Sequence, residues 1–203
     1  MARPRSFFSR LMKKILAPFY YSKKYIIVAG DLTRLSFRYD ELGKSIICDR
    51  LSDEDLGDVR NKFGDRKYGK FKLWLSKAVC FVPRDESGII GYVWYTGQSM
   101  PNEGERPFFF NVNPPSGAAY IFDGYMPRNK RNYFIVVRVL STLLNDAKVK
   151  GFKMAFATTD HRNRFTRLLY SKLGFKEVGQ ISYSRILFFS RTNVDDLNHL
   201  QLF

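Results

Sequence analysis

Strand-like and helix-like segments alternate between residues 120 and 175, and this order restricts the chain to a fold that combines a sheet with helices. One strand-like run at 120–125 stops before Pro127, and a second covers 154–158. Between them, an apolar stripe at helical spacing predicts a long amphipathic helix that ends at Gly151. The stripe consists of Ile135, Val136, Val139, Leu140, Leu143, Leu144 and Ala147. A short helix capped by Gly174 follows, and its predicted buried side consists of Phe165, Leu168, Leu169 and Leu173.

The long helix begins directly after a strand and among basic residues. Residues 128–153 contain seven basic residues and one acidic residue, Asp146. Free N–H groups and the helix dipole make a helix N-terminus a site for anions. A ligand with a pyrophosphate group is therefore well placed here, although a solvated basic helix end explains the composition equally well.

The net charge of +15 in 203 residues indicates an anionic partner, which could be phosphate, phospholipid headgroups, an acidic carrier protein or nucleic acid. No RNA-binding aromatic signature accompanies the charge, so nucleic acid is the least favoured. The cysteines Cys48 and Cys80 and two histidines form no cluster, which predicts neither a disulfide framework nor a metal site. Without a disulfide framework, we expect a protein of the reducing cytoplasm. No apolar run reaches the length of a membrane span.

Residues 1–24 are basic and carry no acidic residue, and we predict that they form an arm before a single domain at 25–203. Apolar residues recur at helical spacing between Phe8 and Phe19, which predicts a basic amphipathic helix that ends near Pro18. Such a helix can lie on the anionic inner face of the membrane. Alternatively, it packs on its own domain and keeps a solvated basic face. The basic positions before Asp31 are Arg3, Arg5, Arg10, Lys13, Lys14, Lys23 and Lys24.

The middle of the chain predicts further strands and a loop that contacts substrate. Ser52 precedes a run of acidic residues, which predicts a capped helix start. In the strand 89–96, Tyr92 and Trp94 share one face, and we expect one aromatic face of this strand to line a substrate pocket. Residues 98–118 form the longest loop-like segment, where we expect Phe109 and Phe110 to contact substrate.

Four spacings extend across the region 120–175. Gly151 lies 20 residues after Arg131, Asn163 lies 12 residues further, Tyr170 another 7, and Gly174 another 4. In this order and spacing the chain resembles the GCN5-related N-acetyltransferases (GNATs). The resemblance implies a mixed, mostly antiparallel central sheet flanked by helices, and the transfer of an acyl group from acetyl-CoA, or from another acyl-CoA, to a primary amine.

The resemblance also implies roles for individual residues. Tyr170 protonates the departing thiolate. Two interpretations of Asp123 are open: it takes the proton of the amine, directly or through water, or it is a structural hydrogen-bonding group. His161 has suitable chemistry for a base, but it lies in a turn beside basic residues, where we expect it to be exposed to solvent. Backbone amides of the strand at 120–126 polarise the thioester carbonyl, because two parallel strands splay there in these folds. The residues expected to contact the cofactor are Tyr125, Met126, Arg128, Lys130, Arg131, Asn132, Tyr133, Phe134, Ile135, Val136 and Asn163.

The turn before the long helix departs from the family pattern, which expects glycine or another small residue where this chain has Asn132, Phe134 and Val136. Glycine permits the backbone to approach a phosphate closely. Three interpretations remain open: coenzyme A bound with altered geometry, an acyl group delivered on the phosphopantetheine of an acyl carrier protein, or a scaffold that has lost catalysis. The last would leave a module that binds an anionic membrane or nucleic acid.

The chain also resembles acetyltransferase-like proteins from bacterial cell-envelope polysaccharide gene clusters. The basic N-terminal helix, the segment 89–94 and the segment 179–187 carry this resemblance. It implies a role in polysaccharide biosynthesis, with an amino sugar of a cell-envelope glycan as the acceptor.

Overall fold

The computed structural model describes residues 20–35, 46–101, 111–127, 133–186 and 189–196. The strands of its first half are β1 (Tyr20–Asp31), β2 (Ile47–Arg50), β3 (Val79–Asp85), β4 (Gly88–Ile89), β5 (Tyr92–Thr96), β6 (Met100–Pro101) and β7 (Asn111–Val112). Those of the second half are β8 (Ala118–Tyr125), β9 (Met154–Asp160), β10 (Lys176–Ile186) and β11 (Phe189–Asp196). The helices are α1 (Leu56–Phe63), α2 (Asp65–Trp74), α3 (Tyr133–Val149) and α4 (Arg164–Lys172).

The large sheet has the strand order β11-β10-β1-β9-β8-β5-β3-β2, with β4 paired to β3. Its described pairings are antiparallel except for that of β8 with β9, which is parallel because α3 connects the two strands. The predicted mixed, mostly antiparallel sheet flanked by helices is confirmed. No helix among the described residues is long and apolar enough to cross a membrane.

Each face of the sheet is covered by a separate layer of helices. On one face, α1 and α2 pack over an aromatic cluster in which Trp74 and Phe71 meet Trp94 edge to face at 5.5 and 4.9 Å between ring centroids. On the other face, the apolar stripe of α3 packs with α4. The stripe predicted from the spacing lies in this second core, with Leu143 and Leu144 fully buried. One core lies on each face of the sheet, and β8 contributes residues to both.

β1 lies inside the sheet, between β9 and β10. It pairs with β9 from Tyr25↔Asp160 to Asp31↔Met154, and with β10 along most of its length. Gly30 allows Phe175 to pack closely on it, because a Cβ at this position would lie 2.9 Å from the Phe175 ring. Since β1 begins at Tyr20, residues 20–24 of the predicted arm are part of the sheet, and residues 1–19 lie outside the described structure.

The helix ends follow the predicted signals. Gly151 and Gly174 have φ angles of 90° and 85°, the left-handed conformation that ends a helix. The Ser52 backbone N–H donates to Asp55 Oδ2 at 2.9 Å, as in a capping box.

The prediction for Leu168 was wrong: this side chain is 59% exposed, and Tyr170 is buried with Leu169 and Leu173 instead. Sequence spacing gives the period of an apolar face but not its centre.

Candidate functional site

The two parallel strands separate in the middle of the sheet. Pairing between β8 and β9 ends at Ile121↔Ala157, although β8 continues to Tyr125 and β9 to Asp160. On its other side β8 pairs with β5 through a bulge: Val93 faces Gly124 and Trp94 faces Phe122, so Asp123 is the extra residue. A bulge bends a strand and redirects its side chains. Beyond Ile121, the backbone edge of β8 that faces β9 has no strand partner among the residues that the structure describes.

A cavity of about 310 Å³ occupies this separation. All residues of the segment 120–126 line it. Because successive side chains of a strand point to opposite faces, a continuous run of lining residues means that the cavity meets the edge of β8. Val139 and Leu140 of α3 and Leu169 of α4 form apolar parts of the wall. The cavity therefore suits an extended ligand that pairs with a strand edge.

Tyr170 of α4 lines this cavity and is only 6% exposed. Its ring packs against Phe175 with 5.0 Å between centroids, which fixes the direction of the phenol. Burial, and after it the neighbouring Tyr120, raise the pKa of the Tyr170 hydroxyl above its usual value. The phenol is therefore protonated at neutral pH and available as a proton donor.

Asp123 also lines the cavity, at the bulge of β8. Its Oδ2 lies 2.7 Å from Nζ of Lys67, and the Tyr92 hydroxyl donates to the same oxygen at 3.4 Å. Lys67 belongs to α2 and lies over the Tyr92 ring, 4.9 Å from its centroid. Burial, followed by the Asp123 carboxylate, raises the pKa of Tyr92. The carboxylate thus sits on the α1–α2 side of the cavity, opposite the layer that holds Tyr170.

The turn after β9 closes one end of the cavity. Asn163 is the N-cap of α4, and its Oδ1 accepts a hydrogen bond from the Thr166 backbone N–H at 3.2 Å. Asp160 accepts from the Arg162 backbone N–H at 2.9 Å. Deeper in the cavity wall, the hydroxyls of Tyr120 and Thr158 lie 3.1 Å apart. Asn163 therefore has a structural role as a cap and also contributes to the cavity wall.

The start of α3 borders the cavity through Val136, while Phe134 is 44% exposed. Tyr133 and Ile135 are half-buried and lie outside the cavity wall, whereas Tyr125 and Met126 are part of it. The predicted contacts Arg128, Lys130, Arg131 and Asn132 fall in residues 128–132, outside the described structure, as do Phe109 and Phe110.

The architecture has relatives among solved structures. The glucosamine N-acetyltransferase region of a fungal multi-domain GH3 β-N-acetylglucosaminidase superposes with a TM-score of 0.58, at 11% identity, over 92% of this chain and 25% of that one. A tandem GNAT protein of the clavulanic acid biosynthesis pathway gives 0.54 at 10% identity, over 93% of this chain and 59% of that chain. The chain has the GNAT fold.

A further structural neighbour is the aminoglycoside N-acetyltransferase AAC(6')-Iy in complex with the bisubstrate analogue CoA-S-monomethyl-acetylneamine. It superposes with a TM-score of 0.51 at 12% identity, over 65% of this chain and 91% of that one. At the level of sequence, no family model and no curated protein matches this chain. The GNAT fold is therefore established by the arrangement of strands and helices.

Within the GNAT fold, the structure corrects the predicted substrate contacts on β5. Trp94 is fully buried among Phe71, Trp74 and Phe122, away from the cavity, and Val93 on the opposite face lines it instead. Tyr92 is 1% exposed and reaches the site only through its hydroxyl on Asp123. The physical reason is that α1 and α2 cover this face of β5, so its aromatic residues form core.

Several site residues were not predicted. Lys67 lies 56 residues from Asp123 in sequence, and only the packing of α2 on the sheet brings the two together. Thr158 at the end of the predicted strand lines the cavity, and so do Thr159 and Asp160, because β9 extends two residues beyond the prediction. No group of His, Cys, Asp or Glu in the described part of the chain could hold a metal ion.

Proposed function

We propose that this protein is an N-acyltransferase that moves an acetyl or other acyl group from coenzyme A to a primary amine. The observation that carries the proposal is the open edge of β8 above the Ile121↔Ala157 pair, with the phenol of Tyr170 in the same cavity. An extended chain with amide groups, such as the pantetheine arm of coenzyme A, can pair with an open strand edge as a further strand does. The cavity residues thus fit the donor.

Two layers of the fold supply complementary chemical groups. On the α1–α2 side, Asp123 receives the proton of the attacking amine, either directly or through water. The nitrogen then forms a bond to the thioester carbonyl carbon, and open N–H groups of β8 hold the oxygen as negative charge develops. On the α4 side, Tyr170 gives its proton to the departing sulfur. The products are an amide and a free thiol.

The start of α3 supports phosphate binding. The first N–H groups of a helix have no hydrogen-bond partner within the helix. Val136 lines the cavity, so the first turn of α3 lies beside the proposed site of the acyl donor. Arg128, Lys130 and Arg131 add positive charge in the preceding sequence. We propose that these groups bind the pyrophosphate of coenzyme A without the glycines that other GNATs use.

We propose an amino sugar as the acceptor. The proteins of similar fold include a glucosamine N-acetyltransferase region and an aminoglycoside N-acetyltransferase. The carboxylate of Asp123, which accepts a hydrogen bond from the Tyr92 hydroxyl, offers an amino sugar an acceptor for its ammonium group. An amino sugar of a cell-envelope glycan agrees with the sequence resemblance and is the first acceptor to test.

The donor is tested by thermal unfolding with desulfo-coenzyme A, which lacks the thiol and cannot carry an acyl group but keeps the pyrophosphate and the two amides of the pantetheine arm. We expect a saturable rise in Tm, and no rise with adenosine alone. Acetyl-CoA with glucosamine, with its N-acetylated form as control, should then release free thiol only with the primary amine. Binding without turnover on a panel of amines would indicate a scaffold that has lost catalysis. Turnover with acyl carrier protein but not with acyl-CoA would replace the donor.

We also propose that residues 1–19 attach the protein to an anionic membrane surface. Five of the seven basic residues before Asp31 lie in this segment, which has no acidic residue. Because β1 begins at Tyr20, deletion of residues 1–19 leaves the strand intact. We expect the full chain to sediment with vesicles that contain anionic lipid, and the shortened chain to stay in solution. Equal binding of both chains would contradict the proposal.

A further inference from the structure

The outer edge of the sheet is an exposed strand. Among the described residues β11 pairs only with β10, from Ile186↔Phe189 to Gly179↔Asp196. Residues 191–195 are all exposed, and Phe189 is 81% exposed. Proteins usually block such an edge with charged side chains, especially lysine, with proline or with a very short strand. β11 spans eight residues and contains neither lysine nor proline, and its charged side chains are of both signs.

The polar face of β11 carries opposite charges at matched positions. Arg191, Asn193 and Asp195 alternate along the strand and therefore share one face. Arg191 Nε donates to Asn193 Oδ1 at 3.0 Å, which confirms that these two side chains lie together. Asn193 thus stands midway between a positive and a negative charge.

We propose that β11 pairs antiparallel with β11 of a second copy of this chain, with the two-fold axis at Asn193. In this register Arg191 of each copy faces Asp195 of the other, Thr192 faces Val194, and the two Asn193 amides face each other. Opposite charges and β-branched residues that face each other stabilise an antiparallel pair. The same patch serves both copies, as a two-fold interface requires.

The register follows from geometry. Residues that face each other in an antiparallel pair point to the same side of the sheet. A two-fold axis perpendicular to the sheet keeps every side chain on its own side. One residue of the strand must therefore face its own copy across the axis, and the axis is named here after that residue. An axis at Thr192 would set Arg191 against Asn193, and an axis at Val194 would set Asn193 against Asp195. Only the axis at Asn193 places Arg191 of each copy opposite Asp195 of the other.

The opposite face of β11 agrees with this arrangement. Thr192 and Val194 lie beside Tyr183 and Ile181 of β10, which are both buried, and Ile181 belongs to the core on the α1–α2 side. Val194 is 38% exposed at the end of this apolar row. A facing strand would extend the row across the axis. One strand pair covers less area than most stable interfaces, so we expect a dimer that dissociates on dilution.

The test is sedimentation equilibrium of the full chain over a range of protein concentrations. The native chain should show a monomer–dimer equilibrium. Arg191→Asp and Asp195→Arg each set like charges against each other twice per dimer and should weaken dimerisation about tenfold or more. An equimolar mixture of these two variants should dimerise, because each mixed dimer restores both opposite-charge pairs. The double variant R191D/D195R should dimerise with itself.

Lys148→Asp is a matched control, because it reverses one exposed charge on α3 and should leave dimerisation unchanged. Circular dichroism of each variant excludes loss of the β10–β11 hairpin. The mixing experiment separates an interface role from a purely structural one, since a damaged strand would not recover on mixing. A native chain that stays monomeric at all concentrations, or a mixture that fails to associate, would overturn the proposal. Neither result bears on acyl transfer.

Discussion

The Nζ of Lys67 lies 2.7 Å from Oδ2 of Asp123, and this ion pair joins α2 to the bulge of β8 at the cavity. The side chains of Lys67 and Asp123 are 31% and 22% exposed, so water screens the pair only in part. Lys67 therefore holds the proposed base in one position.

A double-mutant cycle measures how strongly the two residues interact. We expect Lys67→Met and Asp123→Asn to be non-additive in the free energy of unfolding, with a coupling of about 1 kcal/mol, because the pair is partly shielded. Urea denaturation of the four proteins gives this coupling. The exposed pair of Arg60 and Asp65 provides the reference, and its coupling should be smaller. Equal coupling free energies would mean that the position of the Lys67–Asp123 pair at the cavity does not strengthen the interaction.

Removal of the Tyr170 hydroxyl should slow turnover. Tyr170→Phe keeps the ring that packs on Phe175 but removes the proton donor, so we expect kcat to fall about 10- to 1000-fold with little change in acyl-CoA binding. Steady-state kinetics and isothermal titration measure the two effects. Tyr68→Phe, at a half-buried tyrosine of α2 outside the cavity wall, is the control. Native turnover in Tyr170→Phe would exclude the phenol as the acid.

Asp146 should stabilise the fold at neutral pH and lose this effect in acid. Burial favours its neutral form, but hydrogen bonding from Tyr95 and the charges of Lys150 and Arg50 outweigh it and lower the pKa of Asp146. A carboxylate with a lowered pKa stabilises the folded state above the unfolded pKa of about 3.9, and the effect disappears as the pH falls through the folded pKa.

We therefore expect Asp146→Asn to cost about 1–3 kcal/mol of unfolding free energy at pH 7, and progressively less as the pH falls below about 4. Urea denaturation across this pH range measures the difference from the native chain. Asp65→Asn, at a side chain that is 78% exposed, should cost less than about 1 kcal/mol at every pH. A constant penalty for Asp146→Asn would show that its charge is not the cause.

The two cysteines should react slowly with thiol reagents in the folded protein. Burial raises the pKa of Cys48 to about 11, and it raises the pKa of the fully buried Cys80 well above its usual value. At pH 8 we expect alkylation of Cys48 to be roughly two orders of magnitude slower than that of a free thiol, and faster as the pH rises. Mass spectrometry of the native and the denatured chain measures this. Rapid labelling at pH 8 would contradict the burial of Cys48.

Local patterns predicted much of the fold. The spacing of apolar residues identified α3, and the glycines Gly151 and Gly174 marked two helix ends with positive φ angles. These features depend on residues that are close in sequence. The apolar face of α4 was less accurate, because the side that packs on the sheet depends on the distant strands β1 and β8, and Leu168 is exposed as a result.

The family resemblance selected Tyr170 and Asp123, and both line one cavity, while their roles stay a prediction. Lys67 could not be found in this way, because it lies 56 residues from Asp123 and only the packing of α2 brings the two together. The assignment of Trp94 to the substrate failed for a similar reason. An aromatic residue on a strand looks the same in sequence whether a helix or a ligand covers it, and here α2 provides the cover.

The interior position of β1 affects the order in which the protein can be assembled during synthesis. Residues 20–31 leave the ribosome well before both of their neighbours in the sheet, which lie between residues 154 and 186. The middle of the sheet therefore stays incomplete until these later strands have been translated, and contacts between such distant segments slow folding. An early strand with exposed edges is prone to aggregation. We therefore expect the nascent chain to depend on chaperones until β10 has emerged.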